Sequence, residues 1–156
     1  MARKLSLPED PFFLVDELEE VEVIEVEIPE EPRTILMPEL IGFAISRCRQ
    51  RAGVLQEDLA ERVNWAQSLV SKLERGDVTV SIEQLHKMTL VINEGLRARG
   101  LEKVRPWDLI EDAYDLAHLV RVRGYRVIWS TGPVCKQPAL RGRKLVRWLR
   151  ELDPED

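Results

Sequence analysis

The run from Gln56 to Gly76, QEDLAERVNWAQSLVSKLERG, constrains this chain more than any other segment. Leu59, Ala60 and Val63 are separated by three and four residues, which puts them on one face of a helix. Asn64 follows, and asparagine is one of the few non-glycine residues that tolerate the left-handed backbone region. A second apolar set, Leu69, Val70 and Leu73, comes next, and Gly76 supplies a left-handed stop. The spacing predicts two short helices packed across a tight turn, with Trp65 filling core at the turn. Gln67, Ser68, Ser71 and Lys72 are left on the outer side of the second helix.

The flanks extend this pattern. ELIGFAISRCRQRAG predicts a helix from about Pro38 to Ala52, and SIEQLHKMTLVIN one from about Ile82. Ser81 with Gln84 fits a capping box at the start of the latter. Taken together, residues 39 to 98 resemble the Cro and lambda-type repressor family of helix-turn-helix proteins, also called the xenobiotic-response-element family. Gln56, Leu59, Ala60, Val63, Val70, Ser71, Leu73, Glu74 and Gly76 fall in register with that family's pattern. Three positions depart from it. Leu55 and Ala66 stand where the family usually places a Ser or Thr cap, and Asn64 replaces the turn glycine. A missing cap costs about 1 kcal/mol of helix stability.

The resemblance implies double-stranded DNA as the partner, read by the second helix of the pair. Short polar side chains at the front of an exposed helix suit base edges in the major groove. Gln67, Ser68, Leu69, Ser71 and Lys72 are the implied base-contacting set. Leu69 would meet a thymine methyl or simply pack. Gln56, Arg75 and Lys87 are the implied phosphate contacts, and Gln56 would also orient Gln67. The plainer alternative is a solvent-exposed helix surface with no ligand. Arg49 and Glu74 match family positions that form an intramolecular ion pair between the first and third helices, so Arg49 is not counted as a DNA ligand.

Charge is segregated along the chain. The net charge is −5, yet residues 1–33 hold eleven acids against three bases, while residues 34–156 hold seventeen acids against twenty bases. Between Leu116 and Arg150 there are nine Arg or Lys and no Asp or Glu. A chain that is acidic overall can still present a basic face to DNA. The acidic arm would then compete with DNA, bind a protein partner, or be solvated surface.

Other chemistries find little support. No apolar run approaches the ~20 residues that span a membrane, and the N-terminus lacks the apolar core of a secretory signal. Cys48 falls on the apolar side of the first helix and is expected to be a buried small hydrophobe. With Cys135 it makes no CxxC or Cys/His cluster, so no metal or other cofactor is expected. His86 and His118 lie in different amphipathic helices without an identifiable partner. Neither GxGxxG nor GxxxxGK[ST] occurs, and the tail lacks the Ser…Lys signature of a self-cleaving repressor. An enzyme is not expected, and a cytoplasmic location is.

At 156 residues the chain can bury one sound core. The expected fold is mainly α: a lambda-repressor-like helix-turn-helix bundle with an N-terminal β-strand arm and a small C-terminal helical/β extension. Residues 1–33 are read as the acidic arm. Alternation from Val21 to Ile28 predicts a strand there, with a phase slip at Val23–Ile24, and Tyr125–Trp129 is its candidate partner. Residues 34–100 form the DNA-binding unit. Residues 101–156 form a basic extension for dimer or partner contacts, with a helix from Trp107 to Arg123 and a closing helix in RGRKLVRWLREL. Glu94–Pro106 is the candidate boundary between the last two units.

Two functions follow. One is a sequence-specific regulator, most simply a repressor, acting as a homodimer. The other is an antitoxin or phage-type factor that binds a toxin or the transcription machinery through its flanks. Removing residues 1–33 separates them. If the arm screens the DNA face, the truncated chain gains non-specific DNA affinity, and the gain shrinks as salt rises. If the arm holds a protein partner, DNA titrations at two salt concentrations stay unchanged while co-purification of that partner is lost.

Overall fold

The computed structural model describes residues 34–129 and 140–155. In chain order these form β1 (Thr34–Leu36), α1 (Met37–Arg51), α2 (Gln56–Val63), α3 (Gln67–Arg75), α4 (Ile82–Ala98), α5 (Pro106–Val122), β2 (Arg126–Ile128) and α6 (Gly142–Leu152). The result is the mainly α, lambda-repressor-like arrangement. The strand expected at Val21–Ile28 and Cys135 lie outside the described residues.

Local chemistry sets the helix ends. Pro38 sits in the first turn of α1, where its missing N–H is no loss. Asn64 closes α2 in the left-handed region, at φ 59° and ψ 44°. Ser81 and Gln84 complete the capping box of α4, with Gln84 N donating to Ser81 Oγ at 3.0 Å and Ser81 N donating to Gln84 Oε1 at 2.9 Å. Asn93 pins the segment between α4 and α5. Its amide donates to Val104 O and accepts from Val104 N, both at 2.8 Å. Helix α4 therefore continues to Ala98, several residues into the stretch that composition marks as a boundary.

One apolar core runs from Ile35 to Leu149. Helix α1 is its axis, with Leu40, Ile41, Ala44, Ile45 and Cys48 all buried. The α5 stripe of Leu109, Ala113, Leu116, Ala117 and Val120 is buried in the same core. Burial pushes the Cys48 thiol up to about 11, as expected for an inert core cysteine.

The two strands are parallel, with Thr34 opposite Arg126 and Leu36 opposite Ile128. Tyr125–Trp129 thus does contain a strand, but its partner among the described residues is Thr34–Leu36. Periodicity could not reveal β1, because all three residues are buried and no alternation exists to read. Helices α1 to α5 form the crossover between the parallel strands.

Helices α1 and α3 meet almost backbone to backbone. A Cβ on Gly42 would lie 2.3 Å from Glu74 O, and one on Gly76 would lie 2.5 Å from Glu39 Cα. Gly76 is also left-handed, at φ +73°. Gly100 has a similar φ of +69° but open space around it. Gly76→Ala is therefore expected to cost more than about 2 kcal/mol, combining backbone strain with overpacking. Gly100→Ala should cost only the conformational part. Equal losses in denaturant unfolding would remove the close α1–α3 approach as a constraint.

Candidate nucleic-acid interface

Helices α2 and α3, joined by residues 64–66, form a helix-turn-helix unit held from behind. Val70 and Leu73 of α3 are buried, as are Leu59 and Ala60 of α2. Gln67, Ser68 and Lys72 are exposed on the opposite side of α3, and Ser71 is half-buried beside them. Leu69 is half-buried and packs against the core, so only part of it faces solvent. Trp65 packs against the core from the turn.

Glu74 is the electrostatic hub behind this surface. Arg49 Nε donates to Glu74 Oε1 at 2.6 Å and to Oε2 at 3.2 Å. Gln56 Nε2 donates to Glu74 Oε2 at 3.0 Å. Arg49 Nη1 donates to Val54 O at 2.7 Å, which also fixes the α1–α2 loop. Arg49 and Glu74 are both buried. One carboxylate therefore joins the C-terminal half of α1, the start of α2 and the end of α3. Gln56, the implied phosphate contact and orienter of Gln67, donates here to Glu74. A charged acceptor holds an amide donor more strongly than a neutral one.

The remaining expected phosphate contacts are exposed and each pairs with a nearby acid. Arg75 Nε contacts Asp77 Oδ2 at 3.0 Å, and Lys87 Nζ contacts Glu83 Oε1 at 3.0 Å. Lys87 holds the Glu83 carboxyl below its ordinary value. Exposed pairs of this kind are weak, so both cations stay available to a stronger anion. Neither Leu55 nor Ala66 caps its helix with a side chain. His86 and His118 are exposed on different helices. Among the described residues no His, Cys, Asp or Glu cluster could hold a metal ion, and no helix is long and apolar enough to cross a membrane.

Sequence reasoning missed the placement of α6. A groove of about 650 Å³ brings Gln50, Gln56 and Arg75 together with Arg143, Arg147 and Arg150 of α6, and Glu39, Glu74 and Glu151 and several apolar side chains line it too. The acid-free run from Leu116 signals basic charge, but nothing in it reveals which surface that charge borders.

Residues 41–91 match a family model described as a helix-turn-helix domain. Among solved structures, the chain is similar to the clp gene regulator ClgR from Corynebacterium glutamicum, at 22% identity and a TM-score of 0.47. That similarity covers 78% of this chain and 98% of the other. No curated protein matches.

The burial of Arg49 and Glu74 makes a sharp energetic prediction. Glu74→Ala leaves a buried guanidinium unpaired and should cost about 3–5 kcal/mol. Arg62 and Glu94 also pair, but both are more than half exposed at the side chain, so Arg62→Ala should cost less than about 1 kcal/mol. Chemical denaturation of the two variants compares them directly, and similar losses would show that the Glu74 hub is not a stability determinant.

Proposed function

We propose that this chain is a sequence-specific DNA-binding transcriptional regulator of the Cro and lambda-repressor type. The observation that carries the proposal is the composition of the outer face of α3. Gln67, Ser68 and Lys72 project from a helix whose opposite face is locked into the core. Gln67 can hydrogen-bond both N6 and N7 of adenine, Ser68 can pair with any base edge, and Lys72 reaches a guanine or a phosphate. Gln56, Arg75 and Lys87 would set register through phosphates, which position without specifying. The helix starts at Gln56 and Gln67 are free of side-chain caps, which leaves first-turn N–H groups open to a phosphate.

One helix covers only a few base pairs, so the proposed unit is a homodimer reading two half-sites about 34 Å apart. Residues 34–100 would form the DNA-binding unit and residues 101–156 the dimer contacts. Trp107 and Tyr114 support this assignment. They lie two turns apart on α5, on one face, and are 54% and 50% exposed. Occupying a promoter and excluding polymerase is the simplest mechanism, which makes the regulator a repressor.

Selection of bound duplexes from a random pool tests the proposal. A pseudo-palindrome should emerge. Gln67→Ala should then cost about 1–3 kcal/mol of specific binding and relax preference at one base pair in each half-site. An unchanged affinity and an unchanged selected sequence would refute base readout by α3.

A further inference from the structure

We propose that α6 is a second DNA-contacting element, which grips the phosphate backbone through Arg143 and Arg147 next to Gln56 and Arg75. This rests on the reading that α3 enters the major groove.

Helix α6 carries two opposed stripes. Leu145, Leu149 and Leu152 recur at i, i+4 and i+7, and the first two are fully buried. Arg143, Arg147 and Arg150 recur with the same spacing on another face, and all three are exposed. Trp148 packs against Tyr125 with the two rings tilted at 43° and their centroids 4.5 Å apart, which fixes the rotation of the helix about its axis.

The arginines near this helix fall into two groups. Arg141 and Arg47 tether it to α1 at its two ends. Arg141 Nε donates to buried Glu39 Oε1 at 2.6 Å, and Arg47 Nη1 donates to Asp153 Oδ2 at 3.1 Å. Arg47 also stacks on Phe43, with its guanidinium carbon 5.1 Å from the ring centroid. Burial raises the Glu39 carboxyl above its ordinary value, and the Arg141 pair opposes that rise. Arg150 is partly committed, donating to Gln50 Oε1 at 3.3 Å. Arg143 and Arg147 form no ion pair among the described residues, although Glu151, and the already paired Glu39 and Glu74, share the groove with them.

Uncommitted cations on a tethered helix differ from an ordinary solvated face. The tethers fix α6 along α1, so ordering it costs little further entropy when an anion binds. The stripe from Arg143 to Arg150 is about 10 Å long at 1.5 Å per residue. It borders the groove that Gln56 and Arg75 also line. A strand of duplex whose phosphates meet Gln56 and Arg75 would therefore pass beside Arg143 and Arg147. These contacts would add affinity and salt dependence without adding base preference.

The test uses the full-length chain with two fluorescent probes. One is a short duplex of random sequence, and the other is a duplex that the wild-type protein selects from a random pool. Binding is measured across a salt series for the wild type, Arg143→Gln/Arg147→Gln, Arg143→Lys/Arg147→Lys and Gln67→Ala. The glutamine variant is expected to weaken both duplexes by a similar factor, and its slope of log affinity against log salt should fall by about 2. The lysine variant should keep the wild-type slope. Gln67→Ala should lose preference for the selected duplex while its slope stays near that of the wild type. A glutamine variant with unchanged affinity and slope overturns the role of α6 and leaves the α3 reading standing. Tighter binding by that variant, or equal loss in the lysine variant, also overturns it. A wild-type chain that binds neither duplex overturns both. Matching thermal melts for all four proteins show that the effects are not losses of fold.

Discussion

A buried carboxylate at the end of α3 organises the helix-turn-helix unit. Glu74 takes Arg49 from α1 and Gln56 from α2, so three helices are fixed relative to one atom group. The arrangement depends on close backbone approach. Gly42 admits the carbonyl ends of α3 against α1, and Gly76 admits the first turn of α1. Larger side chains at either position would separate the helices and leave the Arg49–Glu74 pair without its geometry. A buried ion pair adds little net energy over an apolar pair, but it penalises every arrangement in which one partner is left alone. Its effect is therefore to select one relative orientation of α1, α2 and α3.

That selection matters because α2 and α3 are weak helices by themselves. They contain eight and nine residues and lack side-chain caps. Isolated helices of that length are not stable in water. Burial of Leu59, Ala60, Val70 and Leu73 in the shared core supplies what propensity does not. The outer side of α3 is consequently free of packing duties. Polar residues there cost no core energy, so their identity can be set by a ligand rather than by the fold.

Arginines in and around α6 act in two ways. Arg141 and Arg47 spend their charge on internal carboxylates, which clamps α6 to α1. Arg143 and Arg147 lie on α6 and form no ion pair among the described residues, although Glu151 of the same helix lines the groove with them. Desolvation explains the division. Glu39 is buried and needs a compensating cation, whereas the exposed α6 face is screened by water and tolerates unpaired charge. One residue type thus serves as a clamp at the start of α6 and as an exposed charged surface farther along it.

The helical core was legible from residue order alone, because its signals are local. Apolar spacing, Asn64, Gly76 and the Ser81–Gln84 box each act within a few residues, and the structure places α2, α3 and the start of α4 where those signals put them. Helices α5 and α6 were legible for the same reason. Only the tertiary structure decided the rest. The pairing of Thr34–Leu36 with Arg126–Ile128 joins segments about ninety residues apart in a strand too short and too buried to alternate. The turning of Gln56 toward Glu74, and the lodging of α6 beside Gln56 and Arg75, likewise depend on where distant helices meet. Periodicity states which face of an element is apolar, but which neighbour covers that face is set by packing across the whole chain.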